Sequence, residues 1–390
     1  MDVKQVAAKY ADYVIKIRRQ IHENPEESGK EFETAKLVRD ELTKAGIEWE
    51  QCGTVCETGT KAIIRGGKPG KTVLLRGDMD ALTVVEDTGL PFASKKPGMM
   101  HACGHDCHTS TLLTAALILN EMKDELPGTV VLAFQPAEET AVGAKDMLGA
   151  GVMDGVDAAF GMHVWGGVPV GTFNCQAGPR MAAARWFEIK ITGKSGHGAL
   201  PHECKDAIVA GSAMVQGFQQ LVSRYYSPSE PVVITVGEFK SGTRWNVVSG
   251  EALLTGTTRC YNNDIHQNII GEMMRVANGI ADAYGVKAEL IKDVDCTQPT
   301  INDPYVTQIA FKAAEKILGE GSGIETPATT GGEDFSFFNN YAPCAFMFLG
   351  ISDEQKCYAN HHPKFDVDES ALIKGAEIYA QVAIDYNSAE

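Results

Sequence analysis

The alternation of short apolar runs with helical segments is the feature that most constrains the fold of this chain. Apolar runs at 72–75, 129–134 and 158–162 are bounded by glycine or polar residues, which is typical of buried strands. Segments with a helical spacing of apolar residues, 109–123 and 141–148, lie between them. This strand–helix–strand order predicts an α/β domain whose sheet has mostly parallel strands.

The pattern changes after residue 178. Between residues 185 and 294, predicted strands and helices follow one another in the order β-α-β-β-α-β, which is the order of a ferredoxin-like α+β unit. The pattern of the first part resumes after Cys296. The sequence therefore predicts a discontinuous first domain, residues 1–178 and 296–390, with an inserted second domain, residues 179–295.

The charge balance and the hydropathy pattern exclude several classes of partner. The 390 residues include 35 Lys and Arg against 51 Asp and Glu, a net charge of −16, which argues against a general binder of nucleic-acid phosphates. Apolar stretches are far shorter than the ~18 residues that a membrane span requires, and residues 1–20 lack the apolar segment of a secretory signal. Ten dispersed cysteines without a Cys-x-x-Cys pair are not a disulfide framework. We expect a cytoplasmic protein with no nucleic-acid or membrane partner.

Four polar motifs of the first domain lie at predicted strand ends or just ahead of a helix. Their polar residues are Asp78 and Asp80, then Cys103, His105 and His108, then Glu138 and Glu139, and finally His163. Since ligands of open α/β sheets bind beyond the carboxyl ends of the strands, we expect these motifs to converge on one crevice. Thiolate, imidazole and carboxylate groups bind zinc and similar divalent ions, so the sequence predicts a metal site there.

The adjacent carboxylates Glu138 and Glu139 could have two different roles in such a site. Neighbouring side chains in extended backbone point in opposite directions, so one glutamate could bind metal while the other faces a bound water. A hydrolytic metal site needs such a free carboxylate to take the proton of that water and deliver it to the leaving group. A solvated acidic turn is the alternative interpretation of the pair.

The ordered motifs resemble those of the M20 metallopeptidase and amidohydrolase family, in the branch of aminoacylases, hippurate hydrolases and hydrolases of indoleacetyl-amino acids. The likeness spans nearly the whole chain. The motifs that carry it are RRQIHENPEES (18–28), RGDMDAL (76–82), MHACGHDCHT (100–109), QPAEE (135–139), FGMHVW (160–165), SGHGALPH (195–202), NVVSGEALLTGTTR (246–259), TGGEDFSFF (330–338) and HHPKFDVDE (361–369). The resemblance implies a zinc-peptidase-like catalytic domain with a mixed sheet and an inserted lid and dimerisation domain.

The resemblance also implies a set of site residues in the first domain. Two divalent ions per subunit, zinc, manganese or cobalt, would be bound by Cys103, His105, Glu139, His163 and His361. Glu138 would be the general base and acid, and Asp80 would orient a ligand. His362 stays open as an alternative to His361, because family members carry a variable residue between the histidine and the proline.

Three residues of the second domain are implied as substrate contacts. His197 resembles the lid histidine that polarises the scissile carbonyl across a homodimer, and Asn246 and Arg259 match positions that contact the substrate's carbonyl and carboxylate. A guanidinium suits a carboxylate because its planar fork can bind both oxygens. The alternatives are a solvated loop histidine for His197 and a strand-end salt bridge for Arg259.

These features together predict a metal-dependent amidohydrolase that cleaves N-acyl amino acids to a carboxylate and a free amino acid, using a metal-activated water. A dipeptidase or carboxypeptidase with the same dinuclear site is the nearest alternative, since a dipeptide is itself an N-acyl amino acid. Two alternatives of other classes are a non-catalytic, metal-stabilised binding protein or dimeric scaffold and a redox pair formed by Cys103 and Cys107.

Overall fold

The computed structural model describes residues 2–356 and 358–389, and the chain folds as two units. Unit 1 comprises Met1–Arg180, Ile301–Pro327 and Asp334–Glu390, and unit 2 comprises Met181–Thr300 and Ala328–Glu333. No helix among the described residues is both long enough and apolar enough to cross a membrane.

Helices occur in both units. The α-helices are α1 (Val3–Ala7), α2 (Ala11–His22), α3 (Phe32–Lys44), α4 (His105–Glu121), α5 (Gly143–Gly149), α6 (Ala207–Gln220), α7 (Asn263–Tyr284), α8 (Pro304–Leu318) and α9 (Ser370–Ser388). Short 3₁₀ segments span Ala8–Tyr10, Pro201–Glu203 and Asp334–Asn340, and a π segment spans Leu221–Tyr225.

Strands likewise occur in both units. They are β1 (Glu48–Gln51), β2 (Thr60–Arg65), β3 (Lys68–Asp78), β4 (Pro127–Gln135), β5 (Ala158–Pro169), β6 (Phe173–Asn174), β7 (Gly178–Met181), β8 (Ala183–Thr192), β9 (Gly196–His197), β10 (Val232–Ser241), β11 (Val247–Val248), β12 (Glu251–Cys260), β13 (Lys287–Thr297), β14 (Thr300–Asn302) and β15 (Cys344–Ser352).

Unit 1 is built on a seven-stranded mixed sheet in the order β1-β2-β4-β3-β5-β15-β6. The four central strands β4, β3, β5 and β15 are parallel, while β1, β2 and β6 pair antiparallel at the two sides. Every residue of β15 and nearly the whole second half of β3 and β4 are buried, as expected for parallel strands covered on both faces. The carboxyl ends of the parallel strands therefore meet at one edge of the sheet.

Helix α4 lies in the core of unit 1. Most of its residues are buried, and it packs on α2, α9 and β3. Its second half, residues 112–119, is apolar nearly all round, and such a helix surface is stable only in an interior position. Leu112, Leu113, Ile118 and Leu119 join the main apolar cluster and hold the helix in place. The first turn of α4 thereby has a fixed position relative to the strand ends.

Unit 2 is an α+β unit with a four-stranded antiparallel sheet in the order β10-β12-β8-β13. Phe187, Ile189 and Ile191 of β8 are buried and alternate with more exposed residues, as the period of a half-covered strand predicts. Helices α6 and α7 pack on this sheet. The β-α-β-β-α-β order and the mixed sheet of unit 1 confirm the predicted fold class.

The bounds of unit 2 differ from those predicted for the second domain by a few residues. β13 continues to Thr297, which pairs with Ala184 of β8, so the end of this strand stays with unit 2. Residues 328–333 also belong to unit 2, where the Ala182 amide donates to the Gly331 carbonyl at 2.9 Å. The catalytic and lid roles assigned to the two domains stay predictions.

Candidate metal centre

The candidate site lies where the parallel strands of unit 1 end. The last residue of β3, Asp78, pairs in register with Gln135, the last residue of β4, so the two strands stop at the same level. Asp80 comes directly after β3, and Glu138 and Glu139 follow β4. The backbone therefore brings these two motifs to the same edge of the sheet, as the sequence predicts.

The segments that carry His163 and Cys103 also reach this edge of the sheet, the first within β5 and the second just before α4. The prediction that His163 ends a strand is wrong: β5 runs on to Pro169, but its pairing with β3 stops at Gly161, so His163 lies two residues past the last pair between these strands. At the start of α4, Gly104 has φ +94°, and a Cβ there would lie 2.4 Å from Cγ2 of Val164. Only glycine fits this close approach.

Five side chains that the sequence analysis selected as ligands come together at this edge: Cys103, His105, Glu139, His163 and His361. The Cys103 Sγ lies 3.4 Å from His163 Nε2 and 3.3 Å from His361 Nε2. Glu139 Oε1 lies 3.5 Å from His361 Nε2 and 4.0 Å from His105 Nε2. The thiol belongs to two groups of donor atoms, one with His105 and His163 and the other with Glu139 and His361. We call these five residues the donor cluster.

Two buried polar atoms of the donor cluster have no hydrogen-bond partner within residues 2–356 and 358–389. They are Nε2 of His105 and Oε1 of Glu139. An unsatisfied buried polar atom costs about 1–3 kcal/mol, and a cation is a partner for both an imidazole nitrogen and a carboxylate oxygen. Thiolate, imidazole and carboxylate are also the donor types that zinc prefers. The residues present therefore fit a divalent ion.

Burial and the surrounding carboxylates set the charge of the donor cluster. Burial opposes a charge on His105, but Asp78 and Asp80 outweigh it and raise the pKa of His105 to about 10. Burial holds the pKa of His163 well below its usual value, which keeps this imidazole in the neutral form that binds metals. Burial also raises the pKa of Glu139 to about 7. The cluster thus favours a positive charge at His105, and a divalent ion would displace that proton on binding.

Asp80, which the resemblance assigned to orienting a ligand, is buried and accepts three hydrogen bonds. The donors are His105 Nδ1 at 3.1 Å, Ser28 Oγ at 2.6 Å and the Glu139 backbone N–H at 3.0 Å. A carboxylate on one ring nitrogen of a histidine fixes the ring and presents the other nitrogen to a metal. Asp80 therefore orients His105 and, through the backbone, the segment that carries Glu139.

Asp78 and His108 also have atoms near His105 that could bind a metal ion. These atoms instead form hydrogen bonds within the protein. The Asp78 carboxylate accepts hydrogen bonds from Arg76 and from Nδ1 of His108. The other ring nitrogen of His108, Nε2, accepts the Val164 N–H at 2.9 Å. His108 is therefore a hydrogen-bonded support for the strand ends and not a candidate ligand.

The Glu138–Glu139 pair lies in a turn, not in the extended backbone that was the basis for predicting opposite orientations. Ala137 and Ala141, on either side, have φ of 52° and 55°, and such a conformation costs a residue other than glycine of order 1–3 kcal/mol. In this turn an oxygen of each glutamate lies within 4.8 Å of a ring nitrogen of His105. Both carboxylates therefore face the donor cluster. The prediction that the two side chains point in opposite directions is wrong.

Of the two histidines left open by the sequence, the structure brings His361 to the donor cluster. His361 has φ 70°, which turns its side chain toward Cys103. The ring of His362 instead stacks on Tyr358, with ring centroids 4.5 Å apart, and its Nδ1 accepts the Lys364 N–H at 3.0 Å. This geometry favours His361 as the ligand, a role that stays a prediction.

The three residues predicted to contact substrate lie in unit 2. His197 ends β9, which pairs with β11, and its neighbour Gly198 donates a backbone hydrogen bond to Asn246 at 2.9 Å. His197 is exposed, whereas Asn246 is half-buried. Arg259 of β12 donates to the Thr258 carbonyl at 2.9 Å and forms no ion pair within the described part of the chain. The alternative interpretation of Arg259, a strand-end salt bridge, is therefore not found among the described residues.

Sequence reasoning did not select two residues that support the site, Ser28 and Glu31. Ser28 donates to Asp80. Glu31 is fully buried and accepts hydrogen bonds from the Gly29 N–H at 2.6 Å, the Ala137 N–H at 2.9 Å and Thr58 Oγ1 at 2.6 Å, which fixes the turn before Glu138. The motif RRQIHENPEES ends at Ser28 and was the available signal for this segment.

Both the sequence and the fold of this chain match known proteins. A model of the peptidase family M20/M25/M40 matches residues 74–385. The chain is 41% identical to thermostable carboxypeptidase 2 of Saccharolobus solfataricus, over 99% of this chain and 98% of that protein. It is 40% identical to N-acetylcysteine deacetylase of Bacillus subtilis, over 95% of this chain and 96% of that protein.

A solved structure gives the same assignment. It is a Bacillus subtilis protein described as a dinuclear metal binding peptidase from the M20 family, with a TM-score of 0.85 and 37% identity over 98% of this chain and all of that one. The predicted resemblance is confirmed by the family model, the two relatives and this fold. The chain belongs to peptidase family M20/M25/M40 and is a hydrolase that acts on amide bonds.

Proposed function

We propose that this chain is a metal-dependent amidohydrolase that cleaves N-acyl amino acids to a carboxylate and a free amino acid. The observation that carries the proposal is that Glu138 adds one more carboxylate beside the donor cluster. A closed structural zinc site needs no acid or base beyond its ligands, whereas hydrolysis needs a group that takes a proton from water. The arrangement thus favours catalysis over the non-catalytic, metal-stabilised protein.

The proposed mechanism assigns both proton transfers to Glu138. A divalent ion held by the donor cluster would supply a water of lowered pKa and would polarise the amide carbonyl. The Glu138 carboxylate takes the proton of the attacking water and later delivers it to the leaving nitrogen, so that the amino acid departs as an amine. Asp80 keeps the imidazole of His105 in one orientation throughout.

Three residues of unit 2 complete the proposed substrate contacts. His197 and Asn246 donate hydrogen bonds to the scissile carbonyl as negative charge develops on its oxygen, with His197 supplied by the partner subunit. The Arg259 guanidinium binds the α-carboxylate of the amino acid through its planar fork. The exposure of His197 and the lack of an ion pair at Arg259 among the described residues support these roles.

The preference for an acylated over a free amino group is supported by the hydrogen bonds of three carboxylates near this edge, those of Asp78, Asp80 and Glu31. Asp78 is bound to Arg76 and His108, and Asp80 accepts three hydrogen bonds. Glu31 likewise accepts three. A dipeptide presents an ammonium group that needs an unengaged carboxylate, and an N-acyl group needs none.

A peptidase is the second candidate function. The relative named thermostable carboxypeptidase 2 is as similar to this chain as the deacetylase, which favours keeping peptides in the substrate class. The same residues serve both substrates, because a dipeptide has the same amide bond and the same carboxylate.

A redox role for the pair Cys103 and Cys107 is disfavoured. Cys107 is fully buried in α4, and burial raises the pKa of its thiol well above the usual value. A redox cysteine needs an accessible thiolate.

The proposal includes two divalent ions per subunit, zinc, manganese or cobalt. The membership of Cys103 in two groups of donor atoms supports a pair of ions that share the thiolate. A thiolate suits zinc, while the carboxylate side suits harder ions such as manganese.

The proposal also includes a homodimer formed through unit 2 and a cytoplasmic location. β10 is an edge strand of the unit 2 sheet, and it exposes the apolar side chains of Val233 and Phe239, as α6 exposes Ile208 and Val209. An edge strand with apolar neighbours is a template for pairing with a second copy. The nine described cysteines are free thiols, which suits a reducing compartment. Light scattering on the purified protein tests the dimer.

A substrate panel tests the reaction class. Apo-protein reloaded with Zn²⁺, Mn²⁺ or Co²⁺ is incubated with N-acetyl, N-benzoyl, indoleacetyl and fatty-acyl amino acids and with dipeptides, and products are detected by mass spectrometry. Metal-dependent release of free amino acid from acylated substrates is the expected result. Cleavage of dipeptides alone would assign a peptidase, and no product with metal fully bound would contradict hydrolysis.

Glu138→Gln tests the proposed base. The amide keeps the shape but cannot accept the water proton, so kcat should fall about 10²–10⁴-fold with the metal content unchanged. Glu125→Gln is the matched control, because Glu125 is exposed and precedes β4 at its opposite end. Turnover by Glu138→Gln at the rate of the control would remove Glu138 from the mechanism.

A further inference from the structure

The side chain of Asn360 joins three backbone segments around the donor cluster. Its Nδ2 donates to the Cys103 carbonyl at 2.9 Å and to the Val164 carbonyl at 3.2 Å. Its Oδ1 accepts the Gly166 N–H at 2.9 Å. One amide therefore uses both of its donor hydrogens and its acceptor on backbone groups of the other two segments.

Each of these segments carries a residue of the donor cluster. The Cys103 carbonyl accepts one of the hydrogen bonds, Val164 directly follows His163, and Asn360 directly precedes His361. The sequence separations across the two donated bonds are 257 and 196 residues, so no local structure holds these segments together. One side chain therefore bridges the segments that carry three of the five proposed ligands.

The backbone at His361 needs such support. Its φ of 70° is unfavourable for a residue with a side chain, and strained backbone persists only where surrounding contacts hold it. The His361 N–H donates to the Ala102 carbonyl at 2.8 Å, adjacent to the bond from Asn360 to Cys103. These two bonds fix the turn that places His361 Nε2 at 3.3 Å from the Cys103 Sγ.

We propose that Asn360 is a positioning residue whose side-chain amide sets the spacing of Cys103, His163 and His361 and thereby the affinity of the site for a divalent ion. The inference rests on the proposed metal centre and adds a residue that touches neither the ion nor the substrate. Groups that orient metal ligands typically change metal affinity or activity 10–100-fold when they are replaced.

Asn360→Asp separates this role from side-chain size. Aspartate has the shape of asparagine but keeps only acceptor oxygens, so both donations to Cys103 and Val164 are lost and two carbonyl oxygens face a carboxylate. The accepted bond from Gly166 is retained. We expect the turn at His361 to loosen and the ligand spacing to widen.

Asn387→Asp is the matched control. Asn387 Nδ2 also donates to two backbone carbonyls, those of Pro127 and Thr129, at 2.9 and 3.2 Å. These residues begin β4, at the end of the strand opposite to the donor cluster. Each variant loses two hydrogen bonds from a side-chain amide to backbone carbonyls. Only Asn360→Asp loses them beside the donor cluster.

The experiment is a titration of the apo-proteins with Co²⁺, followed by the thiolate-to-cobalt absorbance and by mass-spectrometric metal content. For Asn360→Asp we expect a 10–100-fold higher dissociation constant for at least one ion, a shifted absorbance band, and partial recovery of kcat at high Co²⁺. Asn387→Asp should titrate like the wild type. Thermal unfolding of both apo-variants shows whether their losses of stability are comparable.

The outcomes separate this inference from the proposed function. If the wild type binds no divalent ion, the metal centre itself is refuted. If the wild type binds ions and Asn360→Asp titrates as Asn387→Asp does, only the role of Asn360 is refuted. Should the aspartate variant not fold, Asn360→Ala removes the same bonds without adding charge. Failure of Asn360→Ala to fold beside a folded Asn387→Ala would make Asn360 a residue of general stability and overturn the proposal.

Discussion

The two units hold their proposed functional residues in different ways. In unit 1, Asp80 and His105 are almost completely buried and bonded to one another, and Nδ1 of buried His163 is bonded to a backbone carbonyl. In unit 2, His197 is exposed, and the Oδ1 of half-buried Asn246 has no hydrogen-bond partner in the described ranges. One set is fixed by its neighbours, and the other has polar atoms still to be bonded.

Under the proposed mechanism, we expect this difference to give the two units different effects on the kinetic parameters. Groups fixed before substrate binds can stabilise developing charge without reorganising, and they are expected to act on kcat and on metal affinity. A contact that is the same in the bound substrate and in the transition state, such as the proposed contact of Arg259 with the α-carboxylate, is instead expected to act on KM. The following variants and treatments test this division.

Metal removal should have the largest effect and should act on unit 1 alone. Treatment with a chelator is expected to abolish activity, since the attacking water then keeps its ordinary pKa. An ion at 1,000 times its dissociation constant stabilises the folded state by about 4.1 kcal/mol, so its removal lowers the stability of the unit that binds it. Hydrogen exchange should rise in segments 74–80 and 359–365 and stay unchanged in 232–260. An equal rise of hydrogen exchange in both units would contradict the expectation that the metal stabilises unit 1 alone.

Asp80→Asn should have an intermediate effect, again confined to unit 1. The asparagine places an NH2 group where His105 donates or where Ser28 and Glu139 donate, so at least one donor loses its acceptor. We expect a 10–100-fold loss of metal affinity or of kcat, measured by metal titration and steady-state kinetics. Asp40→Asn is the control, because Asp40 is exposed and paired only with Lys36 among the described residues. Unchanged values for Asp80→Asn would remove its orienting role.

Arg259→Lys should have the smallest effect and should appear in KM. A lysine keeps the charge and one of the hydrogen bonds but loses the planar fork, so we expect a loss near the lower end of the value of a charge-assisted hydrogen bond, about 1.5 kcal/mol, or roughly 10-fold in KM. The metal content and kcat should stay near wild type. Arg275→Lys, an exposed substitution in the same unit, is the control. A fall in kcat with metal loss would instead assign Arg259 to the machinery of unit 1.

The fold and the donor cluster were predictable because their signals are local. Buried runs such as 129–134 predict strands by composition, and proposed ligands such as Glu139 follow within a few residues in sequence. The resemblance then supplied His361, which no local pattern ties to Cys103.

The supporting residues were not predictable, because their partners are distant in sequence. Glu31 bonds Ala137 across 106 residues, and Asn360 bonds Cys103 across 257. Nothing in a polar loop residue distinguishes a solvated side chain from one that closes such a contact. The turn at Glu138 was missed for a related reason: its left-handed backbone at Ala137 depends on tertiary bonds and not on a glycine.

The place of β15 in the sheet has a consequence for synthesis. This strand pairs in parallel with β5, yet its residues, Cys344–Ser352, follow the whole of β8–β13 in the chain. A ribosome therefore releases six strands of the large sheet before the seventh, and β5 meanwhile has an open edge that can pair with another chain. The nascent protein cannot assemble its donor cluster until residue 361 has emerged. We expect ribosome-bound chains that end before β15 to aggregate and to bind metal weakly.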